Sequence, residues 1–304
     1  MLSMIKEARL YLLAAVLVLM LGTVIVPAQS GKSNTAARRT ITLNVIARAP
    51  EGRLVTKEDF DLYDGGVSQE IETFSRIDAG TRIVLLVDDS SNLKVENDAL
   101  QKAIANIINE LYADDEMMIV AYNESAEILE EMTPDLDKLQ VAHAKLVRKG
   151  FPNLFDALIA VSDALSSQAK TGFDKRAIIL ISDGYDSESK TKFDAALRTL
   201  QDENIMLYAI QVADRTRGAL LRDKPKPPAA LDQLTSGTGG AIFAIEKSDE
   251  AAKLIADDLR KHWYRLVYSP SGVNPINERR LMLICRDTAL ALRTKGSHPG
   301  RFHQ

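Results

Sequence analysis

The chain has 304 residues, with 38 basic against 42 acidic side chains, four histidines and one cysteine, for a formal charge of −4. A single cysteine excludes an intramolecular disulfide framework. The basic residues are scattered rather than striped, which excludes a nucleic-acid footprint and an unassisted polybasic grip on a membrane surface.

The chain begins with Lys6 and Arg9 ahead of an almost unbroken apolar run, Leu10 to Val26, then Val26-Pro27-Ala28 and a polar stretch from Gln29. This pattern predicts a secretory signal over residues 1–28, cut after Ala28. The alternative is an uncleaved membrane anchor, since the run is nearly long enough to span a bilayer. Both readings place the body outside the cytoplasm, secreted or periplasmic, and after cleavage none of it inserts in a membrane. Roughly 275 residues remain, enough for one large core and a smaller flanking unit.

Residues 29–79 predict a linker and a small β unit. Ile41 to Ala47 alternates as a strand, Phe60 to Asp64 follows, and Asp64-Gly65-Gly66 signals a hairpin returning through Val67 to Phe74. From 80 to 262 strands and helices alternate. Ile83–Val87, Met117–Tyr122, Ala177–Ser182 and Ile205–Val212 read as strands, and Ala241–Ile245 as an edge strand. Helical faces fall at Leu100/Ile104/Ile107/Ile108/Leu111, Leu154/Leu158/Val161/Leu165 and Phe193/Leu197/Leu200. A short helix begins at Leu231, and the last runs from Ala251 to Trp263. This order predicts a doubly wound, mostly parallel α/β domain. Residues 263–304 predict a C-terminal β segment and tail. Tyr264–Tyr268 and Arg280–Ile284 read as a strand pair, Ala289–Arg293 as a further extended run, and 296–304 as tail. These strands join the early ones in one small antiparallel β unit. Cys285 reads as a buried structural thiol, and Trp263, Tyr264 and Tyr268 as packing residues.

Two apolar strands end in aspartate: Ile83–Val87 runs into Asp88-Asp89-Ser90-Ser91-Asn92, and Ala177–Ser182 into Asp183-Gly184. Polar groups at the carboxyl ends of central strands fall in the crevice where open α/β sheets bind ligands. Asp88, Ser90, Asn92 and Asp183 form an oxygen-rich set suited to a hard divalent cation, Mg2+ or else Mn2+ or Ca2+. The other reading is that these polar positions serve as caps and turns: Asp88 and Ser90 capping the next helix, and Asn153 the helix from Leu154. No histidine lies by sequence beside the aspartate loops, so there is no zinc signature and no nucleophile–base pair.

These motifs resemble the von Willebrand factor type A (VWA) superfamily, in particular the secreted bacterial VWFA-related proteins of the Acidobacteria type. Asp88-Asp89-Ser90-Ser91-Asn92 is similar to the family's Asp-x-Ser-x-Ser, with Asn92 in place of the last serine. Asp183-Gly184 matches its late Asp-Gly pair. Gly150-Phe151-Pro152-Asn153-Leu154-Phe155-Asp156-Ala157 resembles its Gly-Thr-x-Leu-Tyr-Asp-Ala segment, with Pro152 where a threonine ligand is expected and Asn153 one residue away. Phe60 to Phe74, Thr238-Gly239-Gly240, Tyr264 to Pro270 and Arg293 to Gly296 resemble flanking motifs in the same order. The resemblance implies a Rossmann-like VWA fold and a metal-ion-dependent adhesion site, in which an acidic group of a partner protein completes the coordination. Asp88, Ser90, Asn92 and Asp183, with Asn153 as a further candidate, would be its degenerate ligand set.

The leading expectation is a noncovalent protein-binding module for an extracytoplasmic protein, with no catalytic residues and no organic cofactor. A metal-independent scaffold of an envelope assembly is the alternative, and a metal-assisted hydrolase a remote third.

Overall fold

A computed structural model describes residues 40–167, 175–219, 223–274 and 276–298. The expected signal over 1–28 lies outside the described residues. Thr81–Asp88 (β5) forms the middle of a six-stranded sheet because its neighbours on both sides run parallel to it. Glu116–Tyr122 (β6) pairs along one edge and Lys175–Ser182 (β8) along the other, with Val87 opposite Ile181 and Asp88 opposite Tyr122. Met206–Gln211 (β9) and Ile242–Ala244 (β10) extend the sheet in parallel, and Ala126–Thr133 (β7) closes the other edge, giving the order β10-β9-β8-β5-β6-β7.

Alternation along β5 explains its continuous apolar run. Ile83, Leu85 and Val87 face Asn97–Asn109 (α1) and Ser248–Asp257 (α6), in a core with Leu100, Ile104 and Ile255. Val84 and Leu86 face the opposite layer: Leu154–Ser167 (α3), Phe193–Asp202 (α4) and Pro227–Thr238 (α5), with Leu158, Leu200 and Leu231. A strand covered on both faces needs apolar residues at every position. At about 2 kcal/mol for each fully buried aliphatic side chain, the five residues Ile83–Val87 contribute on the order of 10 kcal/mol.

Two elements carry no clear sequence signal. Strand β7 is an antiparallel edge strand with only Leu129 buried, held by its ladder to β6. Leu136–Ala142 (α2) follows, capped by the Asp135 carboxylate, which accepts from the backbone N–H groups of Asp137 and Lys138. Two helix boundaries also shift. α5 starts at Pro227, not Leu231, since proline at the first helical positions loses no internal hydrogen bond. The last helix ends as α6 at Asp257 and passes through a π turn, Asp258–His262, before Trp263 enters a strand. That turn buries Asp258, which accepts from Arg48 and Arg293 of the terminal strands and from the Tyr208 hydroxyl.

The two ends of the chain do build an antiparallel β unit, but as two four-stranded sheets rather than one. Ala291–Thr294 (β13), Ile41–Arg48 (β1), Trp263–Tyr268 (β11) and Ile71–Arg76 (β4) form the first, in that order. Ser297–His298 (β14), Arg279–Cys285 (β12), Phe60–Asp64 (β2) and Val67–Gln69 (β3) form the second. The expected pairing of Tyr264–Tyr268 with Arg280–Ile284 is therefore corrected: β11 pairs with β1 and β4, and β12 with β2 and β14. The single return strand from Val67 to Phe74 breaks at Glu70 so that its halves serve different sheets, and Ser297–His298, expected as tail, is paired. The hairpin itself is as expected, with Asp64 opposite Val67 and positive φ at Gly65 and Gly66.

Both sheets bury one apolar set: Leu43, Val45, Leu62, Leu266 and Leu281. Inside it, Asp64 is fully buried and accepts from the Tyr268 hydroxyl (3.0 Å) and Arg279 Nε (2.7 Å). Trp263 is buried and Tyr264 stacks on Phe74 at 4.8 Å, as packing residues do. Cys285 is half-buried rather than buried, and burial pushes its thiol up. Among the described residues no helix is long and apolar enough to cross a membrane.

Candidate functional site

The parallel pairing of β5 with β8 brings the two aspartate tips together. Asp88, Ser90 and Asp183 are all fully buried at the carboxyl end of the sheet. The Asp88 carboxylate turns back on its own loop: Oδ1 accepts from the Ser90 N–H (3.0 Å) and from the Ser90 hydroxyl. Asp183 does likewise, with Oδ1 accepting from the Tyr185 N–H at 3.0 Å. Beneath them the Tyr122 hydroxyl donates to Ser182 Oγ (2.8 Å), which also accepts the Gly184 N–H. Gly184 is required there. Its φ is +83°, and a Cβ would sit 2.3 Å from the Pro227 carbonyl oxygen.

The cation between the two aspartates is Arg215. Its guanidinium grips Asp183 with two prongs, Nε to Oδ2 (2.7 Å) and Nη2 to Oδ1 (3.0 Å). The same Nη2 reaches Asp88 Oδ2, Nη1 reaches Ser90 Oγ at 2.7 Å, and the Arg215 backbone N–H adds a 3.0 Å bond to Asp183 Oδ2. Every oxygen of both carboxylates therefore has a protein donor. Such forked, charge-assisted bonds are the strong class of hydrogen bond. Burial pulls the guanidinium down, but its hydrogen bonds to Asp183 and the charge of Asp88 more than offset this, so it stays protonated. Burial pushes the Asp88 carboxyl up, with the Arg215 charge and the Ser90 bonds acting the other way. The remaining upward push fits two carboxylates sharing one cation.

The loop after β9 is shaped to deliver this side chain. The Asp214 carboxylate accepts from the Thr216 N–H (2.7 Å), the Thr216 hydroxyl (2.7 Å) and the Gly218 N–H (2.9 Å). Lys94 Nζ ties the loop to the first motif through the carbonyls of Asp214 (3.2 Å) and Arg215 (2.9 Å), beside a backbone bridge from Lys94 to Ala213. The Tyr185 ring lies 5.3 Å from the guanidinium carbon.

The other expected ligands do not join this cluster. Asn92 is exposed on its turn. Pro152 is buried and offers only its carbonyl, which accepts from the Ser187 N–H (2.7 Å). Asn153 braces loops: Oδ1 accepts from Glu188 N–H (3.1 Å) and Nδ2 donates to the Glu124 carbonyl (3.3 Å). The capping alternative is corrected as well. α1 begins at Asn97 after Glu96, away from Asp88 and Ser90, and the first turn of α3 is served by Asp186 Oδ1 and Ser189 Oγ instead of the Asn153 side chain. Asp186 is in turn paired with Lys224 at 2.6 Å. Asp89, one residue past the first motif aspartate, accepts from the N–H groups of Val147 and Arg148 and so fixes the 147–151 segment at the rim.

A divalent ion does not fit the cluster in this arrangement, because Arg215 holds the space and the oxygens that it would need. Among the described residues no group of three or more His, Cys, Asp or Glu side chains is gathered to hold a metal. Arg215 escaped sequence reasoning because it matches no ligand pattern. The available signal was a basic residue just past the carboxyl end of β9, the strand beside β8.

The VWA domain family, described as von Willebrand factor type A domain, matches residues 83–257, a span holding Asp88, Asp183 and Arg215. Among solved structures, von Willebrand factor type A from Catenulispora acidiphila aligns with a TM-score of 0.50 and 13% identity, over 80% of this chain and 74% of its own. The conserved hypothetical protein BatB from Bacteroides thetaiotaomicron aligns with a TM-score of 0.47 and 15% identity, over 60% and 98%. An aerotolerance-related membrane protein from Bacteroides fragilis NCTC 9343 aligns with a TM-score of 0.46 and 16% identity, over 60% and 100%. No curated protein matches the chain. The matched span covers more than half of the sequence and contains the parallel sheet with both aspartate tips, and the chain belongs to the von Willebrand factor type A domain family.

Proposed function

We propose that this chain is a noncovalent protein-binding module acting outside the cytoplasm, with its contact face at the carboxyl end of the central sheet. The VWA-like unit over 80–262 carries that face, and strands of the terminal segments, β1, β13 and β14, pack against its helices. The observation that carries the reading is a fixed apolar pair on the rim. Phe151 and Val147 are 57% and 65% exposed, yet their segment is pinned by the Asp89 carboxylate, by a Lys149 N–H to Asp89 carbonyl bond (2.8 Å) and by a Ser91 N–H to Gly150 carbonyl bond (3.1 Å). Large apolar side chains held rigid in a polar surround are what binding hot spots require. Hydrolysis is disfavoured, because the Ser90 hydroxyl is buried under Arg215 and donates to Asp88.

Site-specific photo-crosslinking in the producing cell tests this. A crosslinking residue at Phe151 is expected to trap a discrete extracytoplasmic protein, with equal yield in chelator and in magnesium. The same residue at Met282, on β12, is expected to trap none. Adducts from Met282 alone would overturn the proposed face and favour a scaffold role through the terminal sheets. Export has its own check: mass spectrometry of the exported chain should find Gln29 at the amino terminus, and an intact Met1 would overturn cleavage.

A further inference from the structure

The metal that the family resemblance implies and the residues in this site disagree, and the disagreement identifies the occupant. A divalent ion between Asp88 and Asp183 would take a lone pair from each carboxylate and one from the Ser90 hydroxyl. Here Asp183 gives both oxygens to Arg215, Asp88 gives Oδ2, and Ser90 accepts from Nη1. The threonine position is Pro152, which has no side-chain oxygen, and Asn92 is exposed. The loop carrying Arg215 is not casually placed. Asp214 folds its turn, Lys94 clamps two of its carbonyls, and Asp183 binds its backbone as well as its side chain.

We propose that Arg215 is the resident cation of this site, a covalently tethered replacement for the divalent ion, and that guanidinium and divalent ion are mutually exclusive occupants. The inference rests on the same face as the binding function and adds what that face can recognise. Two carboxylates and one guanidinium leave a net charge of −1. Of the five guanidinium N–H groups, four are spent on Asp88, Asp183 and Ser90. An incoming carboxylate thus meets a negative cluster with one donor left. The partner chemistry that fits this rim is apolar, through Phe151 and Val147, and an acidic side chain completing a metal shell has no counterpart here.

The test is a manganese titration of the purified chain, with free Mn2+ read by electron paramagnetic resonance. Wild type and R215K are expected to show no saturable site. R215S is expected to gain one with a Kd on the order of 10⁻⁴–10⁻³ M, the range of weak extracellular divalent sites, and R215S/D183N to lose it again. Folding of each variant is checked by circular dichroism, and R215Q replaces R215S if the serine variant does not fold. Saturable binding to wild type that D183N abolishes would overturn the proposal, as would a folded R215S or R215Q that binds no Mn2+. Either failure leaves the crosslinking result at Phe151 untouched, so the two readings fail separately.

Discussion

Replacing Arg215 with methionine isolates the charge of this site, since methionine keeps most of the apolar stem and removes the guanidinium. Asp88 and Asp183, both fully buried, would then face each other without a cation. Exposed ion pairs are worth about 0–1 kcal/mol, but removing one partner of a buried pair costs about 3–5 kcal/mol because the remaining charge stays out of water. Arg215 is 8% exposed at its side chain and both partners 0%, so the larger figure applies. At about 2–4 °C per kcal/mol for a unit of this size, R215M should melt about 6–20 °C below wild type at pH 7. The pH dependence has a fixed sign. The Asp88 carboxyl is already held above its ordinary value, by burial first, and losing the Arg215 charge raises it further. A carboxyl raised in the folded state holds a proton that the unfolded chain has released, so its penalty is full above the folded value and vanishes below the unfolded one. The deficit of R215M against wild type should therefore shrink from pH 7 to pH 5. Adding D88N should recover part of it, with a coupling of about 0.5–3 kcal/mol in a double-mutant cycle. Thermal melts by circular dichroism at both pH values measure all of this. A variant melting within about 2 °C of wild type at pH 7, or a deficit that grows on acidification, would refute the claim that Arg215 neutralises the buried pair.

Gly184→Ala should destabilise the fold by about 2 kcal/mol or more, since alanine meets both a positive φ and the Pro227 carbonyl; a wild-type melting curve would contradict the close approach that fixes the turn after Asp183. Lys295 provides a second pH test. Burial pulls its ammonium down to about 8, with the charge of Asp202 opposing, while Nζ donates to the Gln201 carbonyl (2.8 Å) and Asn204 Oδ1 (2.7 Å). A lysine lowered in the folded state binds fewer protons than in the unfolded chain between about 8 and about 10.4, so stability rises with pH across that window, by roughly 3 kcal/mol in all. Wild type should gain that much relative to K295M between pH 7 and pH 10 in denaturant unfolding, and a constant difference would refute the burial of a charged Lys295.

The amino-acid order by itself determined the central sheet and its two aspartate tips. Ile83–Val87 and Ala177–Ile181 are apolar at every position because both faces of a parallel strand are covered, and that is a local pattern. It also determined the Gly65-Gly66 hairpin, since few other residues accept two successive positive φ values. Strand partners were a tertiary decision. β11 and β12 are equally apolar and close in sequence, yet each pairs with an amino-terminal strand, because two sheets with facing sides enclose Leu43, Leu62 and Leu281 better than one hairpin would. β7 and α2 stayed illegible because an exposed edge strand and a short capped helix need little apolar periodicity. The occupant of the site was likewise hidden: Arg215 stands 127 residues from Asp88 and 32 from Asp183. No spacing rule joins charges so far apart in sequence, and only the parallel alignment of β5, β8 and β9, which ends all three strands on one face, puts a guanidinium between two buried carboxylates.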